Sequence, residues 1–151
     1  MSTKIQRLLD FLPYLMAVTS AAVSRRIANQ YEAASGLKIP EWRVMAVLGD
    51  GGSMTQRDLV GETLMDKVAV NRACKALEDR DLIRRSPNAL DGRSHHLELT
   101  DTGRGMYDRV MDIALESECE IYSVLDDGER AQLKALLTRL RDRVIAMGES
   151  A

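Results

Sequence analysis

The sequence predicts a mainly α fold that carries one small β-hairpin. Three observations support this. Apolar residues recur at helical spacing along most of the 151 residues. One segment alone, "LIRRSPNALDGRSHHLELTDTG" (Leu82 to Gly103), switches to alternation and holds Asp91-Gly92 in its middle. The core must be aliphatic, because the chain has only one Trp, one Phe and four Tyr. A chain of this length can bury a real core without disulfides or a structural metal, as one domain alone or with a helical extension.

The elements follow in order. Ile5, Leu8, Leu9, Leu12, Leu15, Met16, Val23, Ile27 and Tyr31 mark a first helical stretch. Pro13 breaks or restarts it near Leu12, since an interior proline removes a hydrogen bond and clashes with the previous turn. A loop with Ser35 and Gly36 leads to Pro40, a favourable first-turn residue for a short helix through Leu48, which "GDGGS" (Gly49 to Ser53) ends. Thr55 caps a helix from Gln56 to about Gly61, with Asp58 at the acidic position of a capping box. Asp66 caps the next helix, and Met65 and Val70 occupy the two positions of a hydrophobic staple.

On that helix Val70, Ala73, Cys74 and Leu77 fall at i, i+3, i+4 and i+7, one buried stripe. The opposite face carries Val68, Arg72, Lys75 and Asp79, flanked by Ala69 and Asn71. Two strands follow, Ile83 to Ser86 and Arg93 to Leu99, joined by a loop from Pro87 to Gly92. That loop is too long for a tight hairpin turn, so its tip projects. Thr100 caps a further helix with Met106, Val110, Ala114, Ile121 and Leu125 in period, "DDGE" (Asp126 to Glu129) breaks it, and a last helix carries Leu133, Leu136, Leu137, Leu140, Val144 and Ile145. Helix, turn, helix and projecting hairpin make a winged helix-turn-helix over residues 37–103. The flanking stretches, 1–36 and 104–151, form a helical dimerisation region, since their apolar faces are too wide to leave in water.

Several function classes are excluded. A net charge of −2 rules out a polybasic coat for membranes or nucleic acid. No apolar run approaches the roughly 20 residues that cross a bilayer. Cys74 and Cys119 lack metal-like spacing and follow no signal peptide, so both read as reduced thiols of a cytoplasmic protein. Adjacent His95 and His96 point to opposite faces of a strand and do not share a metal ion. "GDGG" is not a phosphate loop, and no nucleophile has a histidine partner in a recognisable context. Neither a catalytic residue nor a cofactor is expected.

With these residues placed, the sequence resembles the MarR family of bacterial transcriptional regulators over almost its whole length. "DKVAVNRACKALEDRDLIRR" (Asp66 to Arg85) is similar to the family's recognition helix and first wing strand. "DGRSHHLELTDTG" (Asp91 to Gly103) is similar to its wing and to the start of its fifth helix, and "IPEWRVMAVL" (Ile39 to Leu48) to its second helix. One departure is Asp81, where relatives carry a helix-ending glycine; Asp tolerates the left-handed conformation better than most residues. The resemblance implies a homodimer that lays two recognition helices into successive major grooves of a pseudo-palindromic operator on double-stranded DNA. It also implies a repressor that a small-molecule effector, such as an aromatic acid or an acyl-CoA, releases.

On this reading Arg72 is the leading base or phosphate contact, because an arginine pairs with both acceptors of a guanine edge. Asn71 can read adenine, and Val68 and Ala69 can meet thymine methyls. Lys67, Lys75, Arg84 and Arg85 suit phosphates, which set position without sequence information. Thr55 and Gln56, at the entrance to the preceding helix, join the DNA-facing set. In the wing, Arg93 can enter the narrow minor groove, oriented by Asp91. Basic residues barely outnumber acidic ones from Thr55 to Arg85, so geometry rather than charge carries the expectation.

For the effector, the resemblance points to side chains of the first, second and fifth helices: Tyr14 and Trp42 as aromatic walls, with Arg25, Arg26 and Arg43 as cations. Some relatives sense peroxide through a cysteine near the start of the first helix. "FLPYLMAV" has none there. Alternatives are a winged helix used as a protein-interaction module and a regulator without small-molecule input.

Overall fold

A computed structural model of the chain describes residues 7–87 and 95–149. The helical pattern becomes a short 3-10 turn, Leu8–Asp10, and then α1, Leu12–Ser35, with Pro13 in its first turn, where a missing N–H costs nothing. Gly36 ends α1 at φ 72°, donating its N–H to the Glu32 carbonyl at 2.8 Å. The left-handed cap is the use for which glycine is suited. Helix α2 spans Ile39–Gly51 and runs past Leu48, where "GDGGS" was expected to stop it. The extension has a reason: a Cβ on Gly49 would lie 2.3 Å from the Tyr107 ring, so the glycine admits a neighbour rather than ending the helix.

Helices α3, Gln56–Thr63, and α4, Lys67–Asp79, form the tight two-helix unit. Thr55 and Asp58 exchange reciprocal hydrogen bonds of 3.1 Å, and Asp66 accepts from the Ala69 N–H at 2.7 Å. Each such cap contributes about 1 kcal/mol by satisfying N–H groups that the helix leaves open. Strands β2, Ile83–Pro87, and β3, His95–Leu99, pair antiparallel with Ile83 opposite Leu99 and Pro87 opposite His95. A two-residue strand, β1 (Met54–Thr55), adds to the other edge of β3, with Met54 opposite Leu97. The projecting tip, with Asp91 and Arg93, lies outside the described residues.

The core is aliphatic, as composition requires. Val44, Met45 and Leu48 of α2, Leu59 of α3, Val70, Cys74 and Leu77 of α4, and Leu97 of β3 are all buried within it. Helix α5, Asp101–Tyr122, is latched to the turn after α4. The Thr100 hydroxyl donates to the Asp81 carbonyl at 2.6 Å and accepts from the Gly103 N–H at 2.9 Å, while the Thr100 N–H donates to Leu82 at 3.1 Å.

The chain divides into two compact units, Met1–Ser117 and Glu118–Ala151, so α5 changes unit near its end. In the second unit, α5 ends at Tyr122, so Leu125 lies outside it and "DDGE" does not break that helix as expected but starts the next: Asp126 and Glu129 form a reciprocal capping box for α6, Asp127–Glu149. Leu133, Leu136, Leu137, Leu140, Val144 and Ile145 of α6 stay between 36% and 68% exposed in the single chain. The first unit leaves Leu12, Leu15 and Met16 of α1 similarly uncovered.

Candidate nucleic-acid interface

Helix α4 separates two chemistries around its axis. Val70, Ala73, Cys74 and Leu77 are 0 to 3% exposed, whereas Val68 is 64% exposed and Asn71, Arg72, Lys75 and Asp79 face solvent. Ala69 sits between the two faces. Burial holds the Cys74 thiol up at about 11, so it stays protonated and acts as a small apolar group. Among the described residues, Lys67, Asn71, Arg72 and Lys75 commit no side-chain group to a hydrogen bond or ion pair. Their donors remain available at the exposed face.

The remaining sequence-expected contacts are more engaged. Arg84 pairs with Glu98 at 2.8 Å across β2 and β3, which raises its already high pKa. Arg85 pairs with Glu78 of α4 and donates to the Gln56 side chain of α3 at 3.2 Å, so one guanidinium ties strand, α4 and α3 together. Thr55 and Gln56 sit beside this junction, Thr55 in its capping box. A shallow cavity of about 410 Å³ lies between the first turns of α3 and α4, lined by Gln56, Arg57, Val60, Lys67 and Asn71. Arg57 was not foreseen, because only the fold sets the start of α3 beside Lys67 and Asn71.

The residues expected around an effector are brought together only in part. Trp42 is half-buried between Tyr31 and Tyr107, at ring-centroid distances of 5.8 and 5.7 Å, and the Arg104 guanidinium lies 5.1 Å above the Tyr107 ring. Burial, reinforced by Glu32, pushes the Tyr31 hydroxyl up to about 12, while nearby Arg43 and Arg25 pull the other way. Arg25 and Arg43 therefore gather near this aromatic stack, with Arg25 also 3.6 Å from Glu32. Tyr14 is exposed three turns earlier on α1, roughly 16 Å from Arg25 along the axis. Arg26 is on the exposed side of α1. Tyr31, read in sequence only as part of the helical period, and Tyr107 were not expected here, because only tertiary packing sets them against Trp42. His95 is exposed and His96 half-buried, and no cluster of three or more metal-ligating side chains occurs among the described residues.

A helix with a free outer face, capped by Asp66 and followed by a small antiparallel sheet, is the arrangement on which the comparison with known proteins turns. A sequence model of the MarR family matches residues 35–94. Over that stretch the chain is similar to the MarR family. It is similar to the HTH-type transcriptional regulator PecS of Dickeya dadantii, 27% identical over 91% of this chain and 86% of PecS. To the HTH-type transcriptional repressor NicR of Pseudomonas putida it is 30% identical over 65% of this chain and 62% of NicR. Among solved structures it resembles the MarR-family regulator SPO1453 of Silicibacter pomeroyi, with a TM-score of 0.80 and 29% identity over 93% of this chain and 99% of that one. All three of these proteins are named as transcriptional regulators or repressors.

Proposed function

We propose that this chain is a MarR-family regulator, a cytoplasmic homodimeric repressor that reads a pseudo-palindromic operator through α4. The observation that carries the reading is the unpaired outer face of α4: Val68 and Arg72, flanked by Asn71, stand exposed opposite a stripe that is almost fully buried. Arg72 and Asn71 offer paired donors and acceptors to base edges, Val68 and Ala69 offer apolar surface to thymine methyls, and Lys67 and Lys75 meet phosphates. Thr55 and Gln56 approach the backbone from α3. Arg84 and Arg85 keep spare donors for phosphates beyond their carboxylate partners, since a guanidinium has five. Arg93, oriented by Asp91, takes the minor groove.

Dimerisation is supported by the exposed apolar residues of α6 and of the start of α1, which a monomer would leave in water. Repression is supported by the likeness to NicR, itself a repressor. A small anionic aromatic effector suits the Trp42 stack with Arg25 and Arg43 at its edge, with Arg26 and Tyr14 further along α1. No helix among the described residues is long and apolar enough to cross a membrane.

The test is selection of duplexes from a random-sequence pool by the purified protein, followed by binding of Arg72→Ala and Arg93→Ala to the recovered sequence. Arg72→Ala should bind roughly 5- to 150-fold more weakly, since a bidentate Arg–guanine pair is worth about 1 to 3 kcal/mol, Arg93→Ala should also bind more weakly, and both should keep the wild-type melting temperature. Failure to recover any duplex, with a protein partner retained by both variants, would favour the interaction-module reading.

A further inference from the structure

The turn between α3 and α4 holds Leu64 at φ 57° and ψ 27°, the left-handed region that glycine and asparagine enter cheaply and leucine does not. Its side chain is also 92% exposed. Neither the backbone nor the packing of this chain favours a leucine at that position. Both neighbours have reasons for their identities: Thr63 is buried with its hydroxyl on the Leu59 carbonyl, and Met65 packs against the core. The return of Met65 to the core forces the tight turn, and Asn or Gly would make it with less strain. Among the described residues the other non-glycine with positive φ is Asp81, a residue type that tolerates it.

Leu64 immediately precedes Met65 and the Asp66 cap, three residues before α4 begins. The first turn of a recognition helix is the part that lies nearest base edges in a helix-turn-helix. Val68, exposed on that first turn, adds a second apolar group beside the uncommitted Lys67, Asn71 and Arg72. An outward aliphatic side chain makes no hydrogen bond to a base. The one apolar feature displayed in the major groove is the C5-methyl group of thymine.

We infer that Leu64 is a specificity-determining residue, whose side chain extends the apolar edge begun by Val68 and packs against a thymine methyl in each half-site. This rests on the reading of α4 as the DNA-reading helix. The strain at Leu64 is retained because the residue that would relieve it lacks the methyl-binding surface.

The test uses the full-length protein and a duplex recovered by it from a random-sequence pool, with each thymine replaced in turn by deoxyuridine, which lacks only the methyl group. Wild-type protein should bind about fourfold more weakly when one particular thymine of either half-site is replaced, the factor that burying one methyl carries. Leu64→Asn and Leu64→Gly should bind the thymine and deoxyuridine duplexes alike at that position. Both should melt at or above the wild-type temperature, because they relieve the turn. Wild-type discrimination retained at every thymine by both variants would overturn the inference, as would a sharp fall in melting temperature for both. Arg72→Ala, measured in parallel, separates the two levels: a normal affinity there, or no recovered duplex at all, would reject α4 as the reading helix and Leu64 with it.

Discussion

Replacing Gly103 by alanine sets two opposed effects against each other inside α5. Alanine in place of glycine within a helix ordinarily stabilises by about 1 kcal/mol, through backbone entropy. At this position, however, a Cβ would lie 1.9 Å from the Leu82 carbonyl oxygen and 2.9 Å from its carbon. Both are backbone atoms, so no side chain can swing aside; α5 or the turn must move by roughly 1.5 Å to reach the 3.4 Å of ordinary contact. That movement strains the Thr100 hydrogen bonds to Asp81 and Leu82, at 2.6 and 3.1 Å, each worth about 1 kcal/mol. Overpacking itself costs about 1 to 3 kcal/mol. The packing terms win, and Gly103→Ala should destabilise by about 2 to 4 kcal/mol, a fall of roughly 5 to 15 °C in melting temperature for a chain of this size. Gly105, one turn-neighbour away, is the internal control: a Cβ there meets nothing within 4 Å, so Gly105→Ala should raise stability. Thermal unfolding followed by circular dichroism gives both signs, and a stabilised Gly103→Ala protein would refute the reasoning.

Three further outcomes follow from the same structure. Hydrogen bonds from Thr55 hold the Asp58 carboxyl below its usual value, so its contribution is complete above the ordinary carboxylate range and is lost as pH falls through the lower folded value; Asp58→Asn should flatten that part of the acid limb in stability-versus-pH titrations, and an unchanged limb would contradict the cap. Burial raises the Cys74 thiol from 9.0 to about 11, so its contribution is complete below pH 9.0 and is lost as pH rises through that window; Cys74→Ala should lack this alkaline increment, and in a Cys119→Ser background Cys74 should react with thiol reagents only on unfolding. Light scattering at micromolar concentration should give twice the 16.8 kDa chain mass. A monomer mass would contradict the assignment of the α1 and α6 faces to an interface.

What the sequence made legible was local chemistry. Thr55 with Asp58, and Asp66, announce helix starts through side chains that bond their own backbone. The α4 stripe follows from helical period alone, and all four of its residues are buried. The positive φ at Asp81 followed from a missing glycine. What escaped notice depends on partners distant in sequence. Strand β1 is two residues long, too short for any period, and exists because β3 offers it an edge. Gly49 resembled a helix stop but is a slot for Tyr107, 58 positions on. Arg84 and Arg85 resembled free cations, yet each has a carboxylate partner supplied by the fold. Of the expected DNA-facing set, residues from Thr55 to Arg85 cluster around the starts of α3 and α4 and the first wing strand. The placement of Asp91 and Arg93 rests on sequence alone.

The reading of bases by the outer face of α4 is tested most directly by repeating the duplex selection with Arg72→Ala. Loss of preference at one base pair in each half-site, with the other positions of the wild-type consensus retained, is the predicted result. An Arg72→Ala consensus identical to that of the wild type would contradict it.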